Sequence, residues 1–134
     1  MKKKSDLVQS WLRKAGSDIT AADATIRAGV LDAACFHAQQ AVEKYFKAFL
    51  NNAGVRFPFT HNLSKLVEIC AGVDSSFAAL TLTVEPLTPY AVELRYDEEF
   101  WPDKKTAEAA YKSALTVKDF VLDKLPDEII KGTE

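Results

Sequence analysis

The feature that most constrains this chain is the segment 34–50, in which polar side chains recur at helical spacing within an otherwise apolar run. His37, Gln40, Lys44 and Lys47 lie three or four residues apart, so in an α-helix they form one stripe. A helix this apolar on its remaining surface is expected at the centre of a helical bundle. The stripe then needs partners, which neighbouring helices, a subunit interface or a ligand-lined cleft would supply. The apolar positions beside it are Ala34, Cys35, Ala38, Ala41, Val42, Tyr45, Ala48 and Phe49.

Length and composition fit a single globular domain. The chain has 134 residues, of which 48% are hydrophobic and 27% charged, enough for one hydrophobic core. We predict one domain over residues 1–134, with a core of about 5–125 and a frayed tail over 126–134. The net charge of −2 means that no global positive field favours nucleic acid or an anionic membrane.

The cysteines, histidines and hydropathy argue against several classes of protein. Cys35 and Cys70 lie in helical contexts, so we interpret them as buried thiols rather than a disulfide framework. Only two histidines argue against a zinc site, and we expect no metal and no cofactor. The N-terminus lacks the apolar core of a signal peptide, and no apolar run approaches the roughly 20 residues that span a bilayer. We expect a cytoplasmic protein with no membrane partner.

Caps and stop signals predict two long helices at the start of the chain. The first is predicted from a cap at Ser5 to a stop at Gly29, and the second from about Leu31 to Asn52, before Gly54. Strand alternation is absent from both. The predicted inward face of the first helix consists of Leu7, Trp11, Ala15, Ile19, Ala22 and Ile26.

The middle of the chain carries shorter helical signals. Thr60 is the predicted cap of a helix that ends at Gly72, with His61 in its first turn. Residues 74–80 indicate another capped helical turn. Thr88 followed by proline predicts the start of a helix that ends near Arg95.

The end of the chain predicts one more long helix. It follows a loop over residues 96–102 and runs from about Asp103 to Lys124, before Pro126. No βαβ pattern and no glycine-rich phosphate loop is present. The fold class that follows is all-α, an antiparallel four-helix-type bundle with one or two short extra helices.

Four blocks of the chain carry a family resemblance. The most specific is the second, in which Gln39 and Gln40 are followed by Glu43 and Lys44. Over nearly its whole length the chain resembles the HEPN family of small helical proteins. The blocks are Trp11–Ala15 with Asp18, Cys35–Lys44, the crossing from Gly54 to Leu63, and Arg95–Tyr96.

The resemblance implies a helical bundle that pairs into a homodimer. It further implies nucleotide binding, RNA cleavage, or a toxin and antitoxin pair formed with a minimal nucleotidyltransferase. Members that cut RNA carry an arginine followed four to six residues later by a histidine, contributed by both subunits to a shared cleft. Arg95 matches the arginine by position, but Tyr96–Pro102 contains no histidine and departs from that pattern.

Arg56 and His61 have the arithmetic spacing of the nuclease pair but lie earlier, between the second and third helices. We interpret this match as a coincidence of spacing. Cleavage without a metal needs a base for the 2′-hydroxyl and a cation for the transition state, and both must converge on one phosphate.

Each candidate residue also has a structural interpretation. For His37 we favour a core histidine bonded to a neighbour. For Gln40, Lys44 and Lys47 the plain alternative is a solvated or interhelical polar face, on which Glu43 and Lys47 form an ordinary i,i+4 pair worth about 0.3 kcal/mol. His61 makes local hydrogen bonds or binds a phosphate, and Arg95 pairs with nearby carboxylates. Tyr96 and Trp101 stack on a base or pin a loop. The candidate ligand-binding residues are His37, Gln40, Lys44, Lys47, His61, Arg95 and Tyr96, and the catalytic candidates are His61 and Arg95.

Two functional hypotheses follow. The first is a dimeric module that binds a nucleotide or a nucleotidyltransferase partner in a cleft lined by Lys44, Lys47, His61 and Arg95. The alternative is a metal-independent RNA-cleaving toxin in which His61 or His37 replaces the absent base. The homodimer is expected because the central helix carries more apolar surface than a lone bundle of this size readily hides.

Overall fold

The computed structural model describes residues 3–91 and 97–133, and within these two ranges it contains α-helices, 3₁₀ helices and turns but no strand. The predicted all-α class is confirmed. Two 3₁₀ helices, Ser75–Leu80 and Glu85–Tyr90, flank the short α4. In chain order the α-helices of the described ranges are α1 (Lys4–Ala28), α2 (Leu31–Ala53), α3 (Leu63–Val73), α4 (Thr81–Val84), α5 (Lys104–Lys124) and α6 (Asp127–Lys131).

Helix α2 is the centre of the bundle, as its composition predicts. It packs against α1, α3 and α5, and all of its predicted apolar positions are buried. None of the large, exposed apolar side chains of the described ranges lies on α2. The chain's own helices therefore cover the surface that was expected to require a second subunit.

Two of the three predicted glycine stops are confirmed, whereas Gly72 lies inside α3, which ends at Val73. Gly29 ends α1 with φ of 78° and Gly54 ends α2 with φ of 72°, a left-handed conformation that side chains with a Cβ rarely adopt. The turn after Gly29 brings α2 back antiparallel along α1, which sets the two helices' polar groups opposite each other.

The start and inward face of α1 differ from the prediction. The helix begins at Lys4, and the Asp6 carboxylate accepts a hydrogen bond from the Lys3 amide at 3.2 Å, so Ser5 is not the cap. Leu7 is exposed, whereas Val8 and Leu12 are buried. The rest of the predicted face is confirmed, because Ala15, Ile19 and Ala22 are buried and Trp11 and Ile26 pack partly buried against the core.

Three predictions about the start of α3 and the residues around it are wrong. Asn62, not Thr60, is the cap, because its side chain accepts a hydrogen bond from the Lys65 amide at 3.1 Å. His61 therefore precedes the helix rather than lying in its first turn.

The Thr88 hydroxyl accepts a hydrogen bond from the Leu63 amide at 3.1 Å, so it caps α3 rather than a helix of its own. Residues 85–90 form a 3₁₀ helix, and Arg95 lies outside the described residues.

Two aspartates cap their helices as predicted. Asp74 accepts from the Ser76 amide at 3.0 Å and begins the 3₁₀ turn, and Asp103 accepts from the Thr106 amide at 2.8 Å and begins α5. The apolar residues that recur at helical spacing on α5 are all buried. They are Ala107, Ala110, Ala114, Val117 and Val121, with Leu125 just beyond the helix.

The C-terminal segment is not a frayed tail. Residues 127–131 form α6, and Ile129 is buried against the core. The Gln9 amide donates to the Ile129 carbonyl at 3.3 Å, and the Arg13 guanidinium donates to the Gly132 carbonyl at 2.8 Å. These bonds satisfy carbonyls at the end of α6 and hold it against α1. None of the helices in the described part of the chain is both long and apolar enough to span a bilayer.

Candidate functional site

Asp18 on α1 joins two side chains of the α2 stripe, and we call this group the Asp18 cluster. One oxygen of its carboxylate lies 2.9 Å from Nδ1 of His37, and the other forms an ion pair with Nζ of Lys44. The partners are 19 and 26 residues away in sequence, so the cluster links α1 to α2. The Asp18 side chain keeps 11% of its surface exposed.

Glu43 on α2 has an equivalent pair of partners, and we call this group the Glu43 cluster. One carboxylate oxygen lies 2.7 Å from Nδ1 of His61, and the other lies 2.8 Å from Nζ of Lys47. The Glu43 and Lys47 side chains are only 5% and 6% exposed. The i,i+4 pair described as the plain alternative for these two residues is present, but it is buried rather than solvated, because the crossing and α1 cover it.

The environment of Glu43 favours its charged form. Burial raises the pKa of its carboxyl group, but the hydrogen bonds from Lys47 and His61 outweigh burial and bring the pKa below its ordinary value. The net result is a carboxylate that stays ionised inside the bundle and holds a lysine and a histidine in fixed positions.

Two glutamines extend the Glu43 cluster along α2. The Gln39 amide donates to the Glu43 carboxylate at 3.3 Å and to the His61 carbonyl at 3.2 Å. Gln40 in turn donates to the Gln39 side-chain oxygen at 2.7 Å. Gln39 therefore fixes both the carboxylate and the backbone of the crossing, and every described buried side-chain polar atom has a partner.

Three aromatic rings surround the ammonium of Lys47. Its Nζ atom lies 5.5 Å from the ring centre of Trp11, 5.9 Å from that of Phe57 and 5.7 Å from that of Phe59. These are cation–π distances, and they favour a charged lysine where water is largely excluded. Lys47 is thus held inside the protein by a carboxylate and three rings.

The Glu43 cluster reaches the surface through the crossing. The His61 side chain is 38% exposed, and its ring meets that of Phe59 edge-on with centres 5.5 Å apart. Phe59 itself is 90% exposed. Phe57 also lines an open cleft of about 420 Å³ together with Asn51, Gly54, Val55 and Arg56. An imidazole, an exposed ring and a cleft with an arginine are therefore neighbours on one surface.

The carboxylate fixes what the His61 ring can do. A carboxylate accepts hydrogen bonds, so neutral His61 carries its proton on Nδ1 and leaves Nε2 as an acceptor. When the ring is protonated, Nε2 becomes a donor instead. The same reasoning applies to His37, which Asp18 holds through the same ring nitrogen.

The structure brings the predicted residues together in two groups rather than one. His37 with Lys44, and His61 with Lys47, each meet at a carboxylate, and Gln40 connects to the second group through Gln39. The bond to a neighbouring side chain that we favoured for His37 is present, to Asp18, but the imidazole is 29% exposed rather than in the core. Arg95 and Tyr96 lie outside the described residues.

Sequence reasoning assigned no binding role to the residues that organise both clusters. Asp18 follows Ala15 by three residues on the buried face of α1, so a charge at that position was a usable signal for a buried partner. Gln39 and Glu43 are four residues apart on α2, next to the predicted stripe. No periodicity signal indicates that Trp11, Phe57 and Phe59 converge on one lysine, because two of them lie in the irregular crossing.

The two cysteines belong to neither cluster. Burial and, secondarily, the charge of Asp32 raise the pKa of Cys35 to about 11, and burial raises the pKa of Cys70 to about 12. Both thiols are free, buried and protonated, so they are poor nucleophiles. Over residues 3–91 and 97–133, no three His, Cys, Asp or Glu side chains are grouped as a metal site requires.

Comparison with known families accounts for the fold. The family model of the HEPN domain matches residues 8–125 of the 134. The chain belongs to the HEPN family. The crystal structure of ST0689, an archaeal HEPN homologue, has 21% sequence identity and a TM-score of 0.72, covering 92% of this chain and 98% of that one. No curated protein matches the chain significantly.

Both clusters lie within the HEPN match, since residues 18–61 fall inside 8–125. The chain has only two histidines, and each is held by a buried carboxylate rather than placed after Arg95. In this HEPN protein the chemistry that histidine can supply is therefore located on α2 and on the crossing that follows it.

Proposed function

We propose that this chain is a HEPN-family binding module that holds a nucleotide on the α2–α3 crossing, residues 54–62, without cleaving it. The observation that carries the proposal is His61, a partly exposed imidazole fixed by a buried carboxylate and flanked by the exposed ring of Phe59. Small-molecule sites typically combine apolar or aromatic surface with a small number of polar groups in fixed positions.

The base of the nucleotide would contact the Phe59 ring. An aromatic side chain that is 90% exposed offers a stacking surface, and base stacking on such a ring is worth about 1–3 kcal/mol. Nε2 of His61 then hydrogen-bonds the base or sugar beside that ring. The Glu43 carboxylate supports this role, because it prevents the imidazole from rotating away.

The phosphate would be held by Arg56 rather than by the lysines of the α2 stripe. Lys44 and Lys47 are both paired with carboxylates inside the protein, which compensates their charge. Arg56 is exposed, forms no ion pair with any described residue, and lines the cleft that shares Phe57 with the Glu43 cluster. A guanidinium is well suited to a phosphate because it offers two parallel donors.

The test is a thermal-shift and calorimetry screen of the full chain against ribonucleoside mono-, di- and triphosphates, with and without magnesium. A ligand at 100 times its Kd stabilises the folded state by about 2.7 kcal/mol. We expect His61→Ala, Phe59→Ala and Arg56→Ala each to raise Kd by about tenfold, equivalent to about 1.4 kcal/mol. His37→Ala is the matched control, since it removes the chain's other carboxylate-bound histidine and is expected to leave Kd unchanged.

Two results would reject the nucleotide proposal. One is the absence of a shift with every nucleotide in the wild-type protein. The other is an equal loss of affinity in His61→Ala and His37→Ala, because a site confined to the crossing does not depend on His37.

The proposal also includes a homodimer and pairing with a minimal nucleotidyltransferase in a toxin and antitoxin system. Exposed apolar side chains support an interface outside α2, among them Val73 and Leu82. Light scattering is expected to return twice the 14.8 kDa of one chain at micromolar concentration. Co-purification with a nucleotidyltransferase encoded by an adjacent gene tests the second part, and a monomer that retains no such partner would reject both.

A second candidate function is metal-independent RNA cleavage with His61 as the base. A carboxylate on Nδ1 and a partly exposed ring is the arrangement that a general base requires. Cleavage of a fluorogenic RNA in EDTA that is lost in His61→Ala and kept in His37→Ala would favour this candidate. RNA that remains intact with the wild-type protein removes it.

A further inference from the structure

A groove at the other end of α2 exposes apolar side chains that the nucleotide proposal does not use. It is a cleft of about 300 Å³ between the α1–α2 turn and the segment that precedes α5. Val30 and Trp101, two of the large exposed apolar side chains of the described ranges, line it together, and Trp101 is 78% exposed. The remaining lining residues are Gly29, Leu31, Asp32 and Pro102. Exposed apolar surface in a concave shape marks a docking site when its occupant can be specified.

The charges at this groove specify the occupant. Asp32 lines it, and its carboxylate forms no hydrogen bond or ion pair with a described side chain. Asp97, Glu98 and Glu99 are exposed on the segment that leads to Trp101. The described lining therefore combines apolar side chains with one carboxylate, and the segment that leads to Trp101 is acidic in sequence.

Two cations that flank the groove in sequence are paired with other carboxylates. Arg27, at the end of α1, forms an ion pair with Asp23 at 2.9 Å, and Lys104, at the start of α5, lies 3.9 Å from Glu108. Within residues 3–91 and 97–133, no Lys or Arg lines the groove. The negative charge of Asp32 therefore remains available to a partner from outside.

We propose that this groove docks a segment of a partner protein that carries an arginine or lysine next to an apolar side chain. The cation would lie over the exposed Trp101 ring and pair with the Asp32 carboxylate, while the apolar neighbour packs on Val30. A second copy of this chain docked groove to groove would place like charges opposite each other, which disfavours that occupant. A nucleotide is disfavoured for the same reason, because its phosphate is negative.

The groove is separate from the proposed nucleotide site. Asp32 and Glu43 are eleven residues apart on α2, a distance of about 16 Å along the helix axis. The two proposals can therefore fail independently, and variants at one site report on the other.

The test uses two labelled peptides of equal length, one alternating arginine with leucine and the other alternating glutamate with leucine. Binding to the full chain is measured by fluorescence anisotropy. Emission of Trp101 is followed in a Trp11→Phe background, in which Trp101 is the single tryptophan. We expect the basic peptide to bind and to shift Trp101 emission to the blue, and the acidic peptide to do neither.

Variants locate the binding. We expect Asp32→Asn and Trp101→Ala each to raise the Kd of the basic peptide about tenfold, equivalent to about 1.4 kcal/mol. Glu68→Gln is the matched control, because it removes an exposed carboxylate from α3, away from the groove, and is expected to leave that Kd unchanged. Nucleotide affinity is expected to be unchanged in Asp32→Asn, which also shows that the variant is folded.

Three results would overturn the docking proposal. They are no binding of the basic peptide at millimolar concentration, equal binding of the basic and acidic peptides, and equal losses in Asp32→Asn and Glu68→Gln. None of them bears on nucleotide binding at the crossing.

Discussion

The Asp18 and Glu43 clusters contain the same three chemical groups in different settings. In each, one carboxylate oxygen contacts Nδ1 of a histidine and the other contacts a lysine. The Asp18 cluster joins two helices and keeps some contact with solvent, whereas Glu43 and Lys47 are neighbours on α2 and nearly sealed. The comparison suggests that the first cluster mainly positions helices and the second mainly presents a side chain, His61, to the surface.

The largest difference is expected when a lysine is removed from each cluster. Lys47→Met leaves Glu43 buried without its ammonium partner, and breaking a buried pair in this way costs about 3–5 kcal/mol of the free energy of unfolding. Lys44→Met leaves Asp18 with His37 and some solvent, for which a loss of about 1–2 kcal/mol is expected. Urea unfolding of the two variants measures both values.

A double variant controls for packing. Glu43→Gln combined with Lys47→Met removes both charges, and it is expected to be more stable than Lys47→Met alone. Equal free energies of unfolding for Lys47→Met and Lys44→Met would contradict the distinction between a sealed cluster and a linking one.

Protonation of Glu43 is expected to lower the stability of the folded protein at acid pH. The pKa of Glu43 in the folded protein lies below its ordinary value of 4.5, so its contribution to stability is fully present above that value. The contribution is lost as the pH falls through the lower, folded pKa. Unfolding measured from pH 7 to pH 2 is expected to show a smaller acid-induced loss in Glu43→Gln than in the wild type. An equal acid-induced loss of stability in Glu43→Gln and the wild type would mean that other carboxylates cause most of that loss.

The two histidines are expected to separate stability from binding. Removing either one breaks a hydrogen bond to a carboxylate, and a similar loss of about 1 kcal/mol is expected for His37→Ala and His61→Ala. Only His61→Ala is expected to weaken nucleotide binding. Chemical denaturation and calorimetry on the same preparations test both statements. A loss of nucleotide affinity in His37→Ala would show that both clusters contribute to one binding site.

The smallest effect on stability is expected at the outer edge of the Glu43 cluster. Phe59 is so exposed that Phe59→Ala is expected to change the free energy of unfolding by less than about 0.5 kcal/mol. The same change is expected to reduce nucleotide affinity. Thermal melting with and without nucleotide compares the two effects, and a large loss of stability would show that the ring is structural.

The long helices could be predicted from sequence because their signals are local. Gly29 and Gly54 end α1 and α2, and Asp103 begins α5, as their residue types indicate. The start of α3 could not be predicted this way. Which residue caps this helix depends on the conformation of the crossing. The Thr88 hydroxyl, which accepts a hydrogen bond from the Leu63 amide, lies 25 residues further along the chain.

The candidate site was predictable only in part for the same reason. The stripe of His37, Lys44 and Lys47 follows from helical spacing, but which carboxylate each one meets depends on how α1 and the crossing pack on α2. The docking of α6 was likewise missed, because the side chains that hold it, Gln9 and Arg13, lie more than one hundred residues earlier.

The enclosure of Lys47 also has a consequence for chemical reactivity. Amine-directed acylating reagents need an accessible, uncharged amine, and the Lys47 ammonium is covered by a carboxylate and three rings. Lysines at the surface, such as Lys65 and Lys104, should be labelled rapidly, and Lys47 only when the crossing lifts away from α2. The rate of labelling at this one lysine would therefore report how often the crossing opens in the native protein.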